Sequence, residues 1–147
     1  MNIAYNIKIV TYASPDYKKV VALRDKILRK PLGLQFSEQD LAVDKNEIII
    51  GLFTQNKCLG CVQMRHVDQN EIKLRQMAVD NSMQGKGLGR EILKFAEKIA
   101  LSKKYNKICL HARKTAVKFY EKFGFSVIGN EFIEVKIPHY TMCKKLS

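Results

Sequence analysis

No stretch of this sequence approaches the ~20 apolar residues needed to cross a bilayer; the longest, Ile48-Ile49-Ile50-Gly51-Leu52-Phe53, has the length of a strand. The N-terminus, MNIAYNIKIVTYASPDYKK, lacks a basic region followed by a long apolar core, so no secretory signal is expected. The expected location is the cytoplasm, with no membrane partner. Internal repeats, low-complexity tracts and linkers are also missing. With 147 residues, inside the ~100–200 of a typical domain, a single domain over residues 1–147 is expected, long enough to bury one core without disulfides. Metal-ligand patterns are missing too. Cys58-Leu59-Gly60-Cys61 has C-x-x-C spacing, but no second C-x-x-C or H-x-x-x-H supplies the remaining ligands of a zinc site. In a strand, residues three apart point to opposite faces. No metal is expected, and Cys58, Cys61, Cys109 and Cys143 are read as reduced thiols.

Acidic residues are scarce: 14 Asp and Glu stand against 26 Lys and Arg, a net charge of +12. Such a balance favours an anionic partner, either nucleic acid or a polyphosphate cofactor. The basic residues are spread along the chain, largely on the polar faces of expected helices, and a solvated surface is the plainer explanation. The aromatics lie at core spacing and no recognised nucleic-acid motif is present, so nucleic acid is not an expected partner. The apolar share of 46% is ordinary for a globular protein.

Apolar periodicity switches between strand and helix values along the chain. Residues 3–12 alternate as a first strand. Ser14-Pro15-Asp16 reads as a helix start: Ser14 caps, Pro15 suits the first turn, and Asp16 faces the positive end of the dipole. Pro31 and Gly33 stop that helix. Ser37-Glu38-Gln39-Asp40 resembles a capping box opening a short second helix. Residues 47–54 and 57–66 read as a hairpin across Gln55-Asn56, and 71–79 as a third strand. A glycine-rich loop follows, then a helix with Leu88, Ile92, Phe95, Ala96 and Ile99 on its apolar stripe. Residues 107–112 form a strand and 115–123 a helix ended by Gly124. The last strands fall on 126–128 and on 132–137 or 140–144. The order β-α-α-β-β-β-α-β-α-β-β implies an α/β fold. A mixed, mostly antiparallel sheet of six to seven strands would hold a central parallel pair, with about four helices on its faces.

The loop Gln84-Gly85-Lys86-Gly87-Leu88-Gly89 lies between a strand and a helix. Amides at a helix N-terminus lack intrahelical partners and carry partial positive charge. Glycines let the backbone approach an anion closely. The arrangement suits a phosphate or pyrophosphate, and Lys86 adds a cation. By itself the spacing is weak, arising by chance in roughly one chain in fifteen of this length. A P-loop would need Ser or Thr after its lysine, and a dinucleotide fold would place its glycines after the first strand; neither pattern is met.

The run Leu74-Arg75-Gln76-Met77-Ala78-Val79, then QGKGLG, a helix, Ile108-Cys109-Leu110-His111-Ala112, and finally AVKFYEKFGF over 116–125 together resemble the GCN5-related N-acetyltransferase (GNAT) family. That family's loop has Gln or Arg, two residues, Gly, one residue, then Gly or Ala, matched by Gln84, Gly87 and Gly89. Its later signature is matched by Ala116, Phe119, Tyr120, Lys122, Gly124 and Phe125. The likeness covers about residues 48–144.

The resemblance implies an acyl-CoA N-acyltransferase fold whose two central parallel strands splay. It implies transfer of acetyl from acetyl-CoA to a primary amine of a small molecule or protein in a ternary complex. Met77, Ala78 and Val79 would present backbone groups to the pantetheine arm, and one amide there would polarise the thioester carbonyl. The amides of Gln84, Gly85, Lys86, Gly87, Leu88, Gly89 and Arg90 would hold the pyrophosphate, with further cofactor contacts from Ala112, Lys114, Phe119 and Tyr120. Tyr120 would protonate the leaving thiolate. His111, His139, Glu71 and Glu134 are the candidate bases, unless a water chain serves. Many family members carry Asn where this chain has Arg113; Arg113 or Lys114 then becomes a candidate phosphate contact, and Thr115 a replacement helix cap. A non-catalytic acyl-CoA-binding module is the alternative function, and a homodimer stays open.

Overall fold

The computed structural model describes residues 4–146. Seven strands form one sheet: β1 (Asn6–Val10), β2 (Ile48–Thr54), β3 (Lys57–His66), β4 (Glu71–Val79), β5 (Lys107–Arg113), β6 (Ser126–Glu134) and β7 (Ile137–Lys145). Their spatial order is β1-β2-β3-β4-β5-β7-β6. All neighbours run antiparallel except β4 and β5. The helices are α1 (Pro15–Arg24), α2 (Glu38–Ala42), α3 (Leu88–Ser102) and α4 (Val117–Lys122). The mixed sheet with its one parallel pair is the architecture expected from the sequence.

Local signals explain most boundaries. The Ser14 hydroxyl accepts from the Tyr17 amide, and Ser37 and Asp40 exchange both bonds of a capping box. Gln55 and Asn56 both take positive φ, as a tight hairpin requires. The α1 helix widens and then tightens over residues 25–32 before Gly33 ends it at φ 69°. Thr115 does not cap: α4 opens from Ala116 with no side-chain bond. The strand expected over 132–137 is also interrupted, because Val135 and Lys136 adopt positive φ and turn β6 into β7.

Two cores flank the sheet. On one face α3 and α4 cover Leu52, Met64, Ile72, Leu74, Ile108 and Leu110. On the other, α1 lays Tyr17, Val20 and Leu23 over Ile49, Phe53, Cys61 and Ala78. Two cysteine expectations are overturned here. Cys58 and Cys61 share the α1 face, because Leu52 pairs with Gly60 and Phe53 with Cys58. That skip makes Leu59 an extra residue, and a β-bulge shifts the alternation by one. Cys109 and Cys143 are not free thiols but a disulfide. They sit directly opposite each other on β5 and β7, with Cα atoms 4.1 Å apart. Their separation of 34 residues hid that pairing from the sequence.

A buried polar chain ties α1 to the sheet. Asp44 accepts from Tyr17 Oη (2.6 Å), Arg24 Nη1 (2.6 Å) and Gln63 Nε2 (2.9 Å). Gln63 Nε2 also donates to Glu47 (2.8 Å). Among the described residues no helix is long and apolar enough to cross a membrane.

Candidate active site

β4 and β5 pair only from Glu71 opposite Lys107 to Leu74 opposite Leu110. Beyond that point β5 continues against β7 alone, and β4 bulges away. Gln76 has φ 57°, and the register with β3 shifts so that Cys61 faces Ala78 while Gln63 faces Arg75. The two strands therefore part, and past Leu74 the backbone groups of β4 that face β5 have no ladder partner among the described residues. A cleft of about 490 Å³ opens at the split. Met77, Ala112, Ala116 and Tyr120 line it, together with Arg75, His111, Arg113, Glu134 and His139.

The glycine loop lies between β4 and α3. Gly85 (φ 79°) and Gly87 (φ 81°) are left-handed, with open space where a Cβ would stand. Among the described residues the amides of Gly85, Lys86 and Gly87 donate to no backbone carbonyl. Leu88, Gly89 and Arg90 open α3, so their amides also lack partners. The loop is held from below by Gln84, whose Nε2 donates to Val79 O (3.2 Å) and Asn81 Oδ1 (3.1 Å). Gly89 serves packing: a Cβ there would stand 3.1 Å from the Phe119 ring. Exposed amides at a helix start, reached by left-handed glycines, fit a diphosphate, and the split beside them fits an extended arm.

Tyr120 is buried on α4, and its hydroxyl makes no hydrogen bond among the described residues. Burial pushes its phenol well above the usual tyrosine range, opposed by nearby Arg113. Across the cleft, His111 Nδ1 lies 2.9 Å from Glu134 Oε1, and His139 Nε2 lies 3.8 Å from Glu134 Oε2. His139 Nδ1 sits 2.9 Å from the Ile137 carbonyl. A carbonyl only accepts, so Nδ1 carries a hydrogen, and Nε2 is the ring atom directed at Glu134.

The fold thus brings Met77, His111, Ala112, Tyr120 and His139 to one cleft. Ala78 points into the α1-side core, and Val79 offers its carbonyl to Gln84. Lys114 lies outside, with its ammonium 2.9 Å from Glu131. Arg113 turns away from the loop and donates to the Leu28 carbonyl at 3.2 Å. Glu71 pairs with Lys107 at 3.4 Å, where β4 and β5 are still joined. The sequence reading missed Arg29, Arg65, Lys73 and Arg75, which also line the cleft. The period-two alternation of β4 carried that signal for Lys73 and Arg75, which flank the core residue Leu74.

The profile of the Acetyltransferase (GNAT) domain matches residues 14–146. YjcF of Bacillus subtilis (strain 168), an uncharacterized N-acetyltransferase, is 28% identical over 137 residues, covering 92% of this chain and 97% of that protein. An acyl-CoA N-acyltransferase from Pseudomonas aeruginosa matches with a TM-score of 0.81 at 15% identity, over 96% of this chain and 99% of that one. A GNAT family acetyltransferase from Elizabethkingia anophelis, solved with acetyl-CoA bound, matches with a TM-score of 0.76 at 18% identity, over 97% and 98% of the two chains. At these identities the solved structures establish the fold.

Proposed function

The chain belongs to the GNAT acetyltransferase family, and on that footing we propose that it moves an acetyl group from acetyl-CoA to the primary amine of a small molecule or protein, by direct attack with both substrates bound. The observation that carries this reading is the parting of β4 and β5 beyond Leu74 and Leu110, beside a loop whose amides at residues 85–87 donate to no backbone carbonyl among the described residues. Acetyl-CoA supplies an activated thioester. The amides of residues 85–90 hold its diphosphate, and the edge of β4 that β5 has left, at Met77 and Val79, receives its arm. One of those amides faces the thioester carbonyl and stabilises the charge that develops on oxygen.

The acceptor must reach the split as a free amine, because an ammonium has no lone pair. The cluster of His111, Glu134 and His139 takes that proton, with Glu134 orienting His111 through the 2.9 Å contact. Tyr120 reaches the same cleft from α4 and delivers a proton to the departing sulfur. Its raised pKa keeps it in the donor form at neutral pH. The two proton-handling groups line one cleft, the histidines from β5 and β7 and Tyr120 from α4, which suits attack from one side of the thioester and departure toward the other.

The test is a thermal shift with acetyl-CoA followed by thiol release across an amine panel. Stabilisation together with amine-dependent thiol release is expected. No stabilisation, or stabilisation without turnover of any amine, would contradict the proposal.

A further inference from the structure

We propose that the acceptor is a small primary amine that also carries a carboxylate or phosphate group, gripped by a basic wall on the α1 side of the cleft. The inference rests on the transferase reading above and narrows it. Strand alternation builds the wall. Ile72, Leu74, Met64, Leu110 and Ala112 point into the α3-side core, so Lys73, Arg75, Arg65, His111 and Arg113 point the other way. Arg29 joins them from the turn after α1, braced by the Phe36 ring 4.4 Å away.

The charge count at the cleft is one-sided. Arg29, Arg65, Lys73, Arg75 and Arg113 line it, with Glu134 as the sole acidic lining residue among those described: five positive less one negative leaves +4. That carboxylate is already engaged by His111. Beneath the wall, Glu47 takes Arg65 Nε at 2.7 Å and Arg75 Nη1 at 2.5 Å on one oxygen, leaving other donors of both guanidiniums unspent. Arg29 Nη1 and Arg113 Nη2 both donate to one backbone carbonyl, Leu28 O, at 3.2 Å each. Lys73 has no acidic partner within 4 Å among the described residues. Desolvation lowers the pKa values of Lys73, Arg29 and Arg113, with Glu134 opposing it at Lys73 and Arg24 adding to it at Arg29.

Arg29, Lys73 and Arg113, partly dehydrated and with no carboxylate within 4 Å among the described residues, are unfavourably placed unless a ligand supplies the anion. A purely cationic amine would be repelled here. An amine with an anionic group is held, and the surrounding positive charge also favours its uncharged, reactive nitrogen. The cleft volume of about 490 Å³ falls within the range of small-molecule sites.

Two measurements decide. With coenzyme A saturating, so that the glycine loop is occupied, inorganic phosphate should raise the melting temperature above a sodium chloride control of equal ionic strength. Lys73→Gln should abolish most of that shift, and Lys73→Arg should retain it. In turnover, an amino acid should be acetylated at least about tenfold faster in kcat/KM than its carboxamide. Lys73→Gln should collapse that preference chiefly through KM, without changing calorimetric affinity for coenzyme A. Where no amine in the panel turns over, the transferase reading fails and this inference with it. Normal coenzyme A binding with no phosphate shift, a shift untouched by Lys73→Gln, or equal use of acid and amide overturns this inference alone. Failure to bind coenzyme A overturns the transferase reading and this one with it.

Discussion

Tyr120 holds a buried phenol with no hydrogen-bond partner among the described residues, so its hydroxyl is dispensable to the fold. Tyr120→Phe should leave stability within about 1 kcal/mol in a denaturant titration, since no buried partner is orphaned. The same variant should slow thiol release by about 10²-fold, the scale of a lost general acid. Unchanged turnover would remove Tyr120 from the chemistry. Asp44 is the opposite case. It is fully buried and accepts from Tyr17, Arg24 and Gln63. Asp44→Ala leaves the buried Arg24 guanidinium without its counter-charge, and Arg24 Nε and Nη2 already lack partners among the described residues. A loss of about 3–5 kcal/mol is expected by chemical denaturation; a loss under 1 kcal/mol would mean that the buried chain contributes little.

At the scale of elements, the loop before α3 depends on backbone shape. Gly87 sits at φ 81° with open space around its Cβ position, so Gly87→Ala meets no clash and suffers only the left-handed penalty. About 1–2 kcal/mol of stability should be lost, with weaker coenzyme A binding by calorimetry. The loop's entry is pinned by Asp80, which accepts from Lys26 Nζ at 2.7 Å and from the Ser82 amide at 3.1 Å. The Lys26 bond, then those from Ser82, lower the Asp80 carboxyl from 3.8 to about 2. A depressed carboxylate stabilises the fold fully above its unfolded pKa and loses that contribution as pH falls through its folded value. Melting temperature should therefore drop between about pH 4 and pH 2 more steeply in the wild type than in Asp80→Asn. Parallel curves would refute the link. Much of this layout was legible in the sequence: Ser14 and Ser37 announced their helices, Gln55-Asn56 its hairpin, and the glycines the loop. The bulges at Leu59 and Gln76 were not, because a one-residue slip is decided by packing across strands rather than by local preference. The basic wall was hidden for a related reason. Arg65, Lys73 and Arg75 look like solvated alternation until the bulge at Gln76 opens a cleft beneath them.

Across the whole molecule, the Cys109–Cys143 disulfide joins β5 to β7 at the strand that forms one side of the split. Alkylation of the unfolded, unreduced protein should therefore modify only Cys58 and Cys61, and reduction should lower stability by about 2–4 kcal/mol. Four modified cysteines without reductant would contradict the pairing. The central claim concerns how the sheet's split and the loop at its mouth act together, and amide resonances report on it directly. In a nuclear magnetic resonance titration with coenzyme A, the amides of Gly85, Lys86, Gly87, Leu88, Gly89 and Arg90 should shift together with those of Met77 and Val79, while β1 and β6 stay still. Saturating coenzyme A that leaves those eight amides unmoved would contradict it.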